Sequence, residues 1–60
     1  MNSHIKTIQD GAIWHVDDLA TGAVVRSQNV KIEIYEHWAK VGSSQVAWIP
    51  REQVEQIHEY

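Results

Sequence analysis

The clearest pattern in the chain is an alternation in which Val30, Ile32 and Ile34 take turns with Lys31, Glu33 and Tyr35. A period of two with β-branched residues on one side predicts a half-buried antiparallel strand, even positions inward. The pattern continues through Glu36, His37 and Trp38, and Glu36 at an inward position predicts that the strand leaves the core or bulges there. A second apolar run, Gln45 to Ile49, follows Val41-Gly42-Ser43-Ser44, and together they predict a hairpin. With Gly42 to Ser44 as the loop, Trp38 and Trp48 fall directly opposite each other on the face shared by Ile34 and Val46. Pro50 has no amide proton to give a ladder, so it ends that strand.

Upstream, Ile5 and Ile8 bracket a short weak strand, His4 to Gln9, closed by Asp10-Gly11, a turn dipeptide whose residues tolerate positive φ. Ala12 to Leu19 predicts another strand, with Trp14 and Val16 on one face and Ile13 and His15 on the other. Ala20-Thr21-Gly22 is a turn, and the strand begun by Ala23 to Arg26 is interrupted by Ser27-Gln28-Asn29. Arg51 to Tyr60 has two readings. One is a 3₁₀ turn placing Val54 in the core, then a last strand with Ile57 inward. The other is a short helix with Pro50 at its first position, Glu52 in its first turn, and Val54, Ile57 and His58 on one side.

Length narrows these possibilities. Sixty residues without repeat or linker make one domain, spanning 1–60. So small a chain buries only about 60% of its unfolded surface, which makes a partner or a second copy an expected source of stability. The absence of cysteine excludes disulfides, thiolate metal sites and thiol redox chemistry, and fits a reducing interior. The N-terminus has no apolar leader and no run is long enough to span a bilayer, so the expected location is cytoplasmic, with no membrane. Eight acidic residues against five basic ones give a net charge of −3, and Lys6, Arg26, Lys31, Lys40 and Arg51 are scattered singly. That balance argues against a surface that tracks phosphates.

The segment Trp38 to Val54 resembles the second half of an SH3 domain, in which a tryptophan opens a strand, a short hairpin follows, and an aromatic-Ile-Pro motif leads through a 3₁₀ turn to a closing Val. Trp48, Ile49, Pro50 and Val54 match that closing motif, and Trp38 resembles the second member of the family's Trp-Trp pair, the one that packs structurally. The resemblance implies an all-β fold, an SH3-like five-stranded small barrel with a 3₁₀ turn before the last strand. It therefore favours the first reading of Arg51 to Tyr60. His37 stands where the first tryptophan would be, Gln53 stands where the ligand-gripping tyrosine would be, and Ile5 to Gln9 holds no tyrosine. Polyproline binding is accordingly not expected, although Pro50 keeps its place.

Candidate chemistry is sparse. His4, His15, His37 and His58 are metal-ligand types, but none is spaced i, i+2 or i, i+4 from another, so neither metal nor cofactor is expected. Asp17-Asp18 beside His15 reads as a solvated turn rather than an acid and base pair. No nucleophile motif, Gly-rich phosphate loop or HExxH is present, and a chain of this size encloses little volume, so no catalytic residue is expected.

The aromatic residues remain: Trp14, Tyr35, Trp38, Trp48 and Tyr60. Either two of the tryptophans fill the core or the set forms an interface. The candidate binding residues are Trp14, Asp17, Tyr35, His37, Pro50 and Gln53. The expected function is non-catalytic protein binding through an acidic, aromatic face, as in a small phage or mobile-element modulator or an accessory subunit. A homodimer through the Tyr35 face or the edge Glu55 to Tyr60 is a further expectation. The alternative is a nucleic-acid-binding barrel that stacks bases on Tyr35 or Trp14, with Arg26, Lys31, Lys40 and Arg51 on phosphates.

Overall fold

The alternating stretch from Val30 forms the second half of a long strand in the computed structural model, which describes residues 3–60. The strands are β1 (His4–Asp18), β2 (Ala23–Tyr35), β3 (Trp38–Val41), β4 (Ala47–Pro50) and β5 (Val54–Glu59), with a 3₁₀ turn at Arg51–Gln53 before the last. All lie in one antiparallel sheet ordered β4-β3-β2-β1-β5. The outer strands β4 and β5 do not pair with each other, so the sheet is open. Among the described residues no helix is long and apolar enough to cross a membrane.

Directly opposed residues share a face, and the register builds the core in rows. Ile8, Ile32 and Val41 form one row, and Ile34, Ala39 and Ile49 form the next. Ile13 pairs with Ile57 across β1 and β5. Ile13, Ile32 and Ala39 are fully buried, and Val30, Ile34, Val54 and Ile57 pack against the cluster half-buried. The inward even positions of β2 and the inward turn of Ile57 follow the alternation. The 3₁₀ turn followed by a strand holds, and the helix reading of Arg51 to Tyr60 does not.

Asp10-Gly11 is not a turn: β1 runs unbroken through it. The register moves from Ile8↔Ile32 to Gly11↔Val30 and then to Ala12↔Gln28, so an extra residue on β1 is followed at once by an extra residue, Asn29, on β2. Two opposed bulges cancel in register while bending both strands. Asn29 takes the left-handed conformation at φ 56°, and its side-chain amide donates to Asp10 Oδ1 at 3.4 Å. What looked like an interruption at Ser27–Asn29 is this bulge inside a continuous β2. Gly11 is required by space: a Cβ there would lie 2.7 Å from the His58 carbonyl oxygen and 2.8 Å from Ile8 Cγ2. The Tyr60 N–H donates to the Asp10 carbonyl at 3.1 Å, tying the end of the chain to the same bend.

The hairpin joining β3 and β4 is offset from the expected register. Val41 pairs with Ala47, Lys40 with Trp48 and Trp38 with Pro50, so the loop covers Gly42 to Val46 and the two tryptophans are not opposed. Val46 lies in that loop, exposed, and contributes nothing to the core. By contrast, the turn after Asp18 has the anticipated chemistry. Asp18 Oδ1 accepts from the Ala20 N–H at 2.9 Å, its carbonyl accepts from the Gly22 N–H at 2.7 Å, and Gly22 takes φ 73°.

Candidate interaction surface

The outer face of β2, β3 and β4 collects the large side chains because of a bend at Glu36–His37. On β2 the inward residues are even, Ile32 and Ile34; beyond the bend they are odd, Ala39 and Val41. Trp38 and Lys40 therefore turn outward, and their β4 partners Pro50 and Trp48 turn outward with them. Trp38 is 38% exposed and Trp48 51%, which corrects the inward placement of both and the structural packing role expected for Trp38. None of the three Trp and two Tyr is buried: the core is wholly aliphatic. That removes the reading in which two of the tryptophans fill the core.

Trp48 and Lys40 meet on this face, and Tyr35 of β2 joins them. The Tyr35 and Trp48 rings lie 5.6 Å apart at a tilt, and His4 meets Tyr35 edge-on at 5.2 Å. Lys40 Nζ sits 5.6 Å from the Trp48 ring centroid and 3.4 Å from Glu33 Oε2, so its charge is shared between a π face and a carboxylate. His4 Nε2 and Thr7 Oγ1 share a hydrogen bond of 2.8 Å, which holds the imidazole against Tyr35.

Beside this cluster is an open groove of about 480 Å³ lined by His37, Trp38, Pro50, Arg51 and Glu52. Its wall is held by Arg51, whose N–H donates to the His37 carbonyl at 2.9 Å and whose guanidinium donates to the Tyr35 carbonyl at 2.8 Å. One residue thus clamps the 3₁₀ turn to the Glu36–His37 bend. Glu36 Oε1 lies 3.6 Å from His37 Nε2, and Glu52 places a carboxylate in the lining of the groove.

Of the residues singled out from sequence, Tyr35, His37 and Pro50 come together here. Gln53 is half-buried at the end of the 3₁₀ turn and does not line the groove. Trp14 and Asp17 lie elsewhere, on the hairpin made by the end of β1 and the start of β2, where Arg26 Cζ stands 5.9 Å from the Trp14 ring centroid. Trp48, Trp38 and Arg51 complete the surface; the tryptophans belonged to the aromatic set and Arg51 to the phosphate-binding alternative, but none was among the candidate binding residues. The tryptophans were visible as residues but assigned to the wrong side, and no local signal marks Arg51 as a clamp.

The histidines do not gather. His15 Nδ1 lies 3.4 Å from the Val16 carbonyl oxygen, and His58 meets Tyr60 edge-on at 5.2 Å. Among the described residues no group of three or more His, Asp or Glu is arranged to hold a metal ion. No protein-family model, curated protein or solved structure matches the chain.

Proposed function

We propose that the chain is a cytoplasmic, SH3-like small β-domain that acts as a non-catalytic protein-binding module. The observation that carries this reading is the exclusion of every aromatic ring from the core, with Trp38 lining a groove and Tyr35 and Trp48 in contact beside it. Aromatic side chains beside charged groups supply much contact area at small entropic cost, which is the chemistry of interface hot spots. The SH3-like assignment is supported by five antiparallel strands, the bend in β1 and β2, and the 3₁₀ turn between Pro50 and the last strand.

Lys40 is paired with Glu33, and Arg51 keeps its positive charge while donating to the neutral Tyr35 carbonyl, so Arg51, Glu36 and Glu52 together leave one negative charge in excess. The partner that suits this surface presents an apolar or aromatic side chain to the groove, with basic groups alongside. Affinity capture from the native host with the wild-type chain and with Trp48→Ala, each checked for unchanged fold, tests it. A partner held by the wild type and released by the variant supports the module; identical captured sets refute it. Retention of nucleic acid that is lost steeply with added salt refutes it too, in favour of a phosphate-binding surface.

A further inference from the structure

The distal half of the β1–β2 hairpin stands outside the sheet. β5 accompanies β1 only as far as His15, opposite Val54, and β3 accompanies β2 only from Ile32 to Ile34. From Val16 to Val24 the chain is a two-stranded arm with no third strand, and every residue from Asp17 to Arg26, at its base, is exposed. Its exposed side chains are apolar to an unusual degree: Leu19 is 74% exposed, Val24 48% and Val25 40%. A lone hairpin is marginal in water, and the unpaired edge of β2 offers backbone groups to a neighbour.

Charge along the arm identifies that neighbour. The tip is acidic: Asp18 is occupied in the turn, whereas Asp17 has no β2 partner and no ion pair among the described residues. The base is cationic: Arg26 lies over Trp14 and has no carboxylate partner among the described residues. Between them lies the Val16–Val24 pair, while Val25, opposite His15, turns to the other face. Asp17 and Arg26 are about 10 Å apart along the arm, at roughly 3.3 Å per residue.

We propose that this arm is a self-association surface on which a second copy of the chain packs antiparallel about a twofold axis. Such an interface must be complementary to itself. An acid–apolar–base order meets that condition, because reversal sets each Asp17 against the partner's Arg26 and each valine patch against its equivalent. The β5 edge does not offer this, since Glu55 and Glu59 lie on it and self-pairing crowds carboxylates. The surface is also separate from the aromatic groove, which begins at the opposite end of β2.

Sedimentation velocity over a concentration series is the test, with circular dichroism and tryptophan fluorescence confirming the fold of each variant. The wild type forms a dimer, and Asp17→Lys or Arg26→Glu each weakens it at least about tenfold by placing like charges together. An equimolar mixture of the two variants restores the dimer, because in the mixed pair both contacts join opposite charges. Val24→Lys, which puts a charge at the apolar centre, also gives monomers, whereas Trp48→Ala stays dimeric. A wild type that remains monomeric into the hundred-micromolar range, corresponding to a very weak Kd, overturns the proposal. So does a mixture that stays monomeric, or loss of the dimer in Trp48→Ala alone.

Discussion

Trp48 and Ile49 are neighbours in the chain and belong to opposite sides of the same sheet. Ile49 is 6% exposed, in a core of Ile, Val and Ala; Trp48 is 51% exposed, against Tyr35 and Lys40. The inner side is thin and is filled by stiff aliphatic side chains that need no hydrogen-bonding partner. The outer side takes the rings, whose N–H and O–H groups are costly to bury unsatisfied. The two sides therefore separate stability from recognition, and substitutions on each should report on different properties.

The largest effect belongs to the inner side. Ile32→Ala or Ile13→Ala removes a fully buried side chain, and such deletions cost about 2–5 kcal/mol. Small domains have a total stability near the low end of about 5–15 kcal/mol, so either variant is expected to be largely unfolded at moderate denaturant concentration. Val46→Ala is the control: Val46 is 41% exposed, and the expected change stays within about 0.5 kcal/mol. Urea titrations of the three variants followed by circular dichroism check this. Equal losses at Val46 and Ile32 would mean that the sides are misassigned.

The paired bulges that bend β1 and β2 depend on Gly11. Gly11→Ala drives a methyl group into the His58 carbonyl and Ile8, and overpacking of this kind costs about 1–3 kcal/mol. Gly22→Ala meets no atom within 4 Å and carries only the left-handed penalty, about 1 kcal/mol. Thermal melts of the pair should rank Gly11→Ala as the more damaging. The reverse order would show that β5 does not press on the bend as described.

The same bends explain which parts of the fold were legible in the sequence. Period-two alternation marks a face only while the register is unbroken. From Val30 to Ile34 it is unbroken, and the inward side of β2 could be read directly. Over Arg51 to Tyr60 the residues alone left a helix and a 3₁₀ turn with a last strand both open, and only the resemblance of Trp48, Ile49, Pro50 and Val54 to the SH3 closing motif favoured the second. Parity was lost wherever a residue is inserted or the chain bends: at Asp10, at Asn29 and at Glu36–His37. Trp38 and Trp48 were put inside because parity was carried straight across Glu36–His37. Asp10-Gly11 has the same local chemistry in a turn and in a bulge, and contact with β5, distant in sequence, selects the bulge. The arm's self-complementary charge was invisible for the same reason: Asp17 and Arg26 belong to one surface only once the hairpin is formed.

On the outer side the expected effect on stability is smaller. Trp48→Ala removes a cross-strand contact worth roughly 0.2–1 kcal/mol and should abolish partner capture, whereas Ile49→Ala costs about 2–5 kcal/mol and should spare capture in whatever fraction stays folded. Denaturation and binding measured on the same two preparations test the separation most directly. Loss of stability at Trp48 equal to that at Ile49 would return the aromatic cluster to a structural role.

The smallest effect is expected where the inner side opens to water. Lys6 stands opposite Ile34, and Glu59 lies two residues beyond Ile57, so both belong to the inner face, yet their side chains are 55% and 50% exposed and form an ion pair at 3.1 Å. An exposed pair gains little Coulomb energy in high dielectric and loses side-chain entropy, so its coupling is about 0.2–1 kcal/mol. A double-mutant cycle on Lys6→Met and Glu59→Gln should return a value in that range at low salt and close to zero near 1 M salt, where the screening length falls to about 3 Å. Tyr60, tied through its backbone to Asp10, holds the end of β5 without help from the pair, so the native fold should persist in both single variants. A salt-independent coupling well above about 1 kcal/mol would show instead that water is kept from this end, and that the polar groups at the mouth of the sheet belong with its aliphatic side.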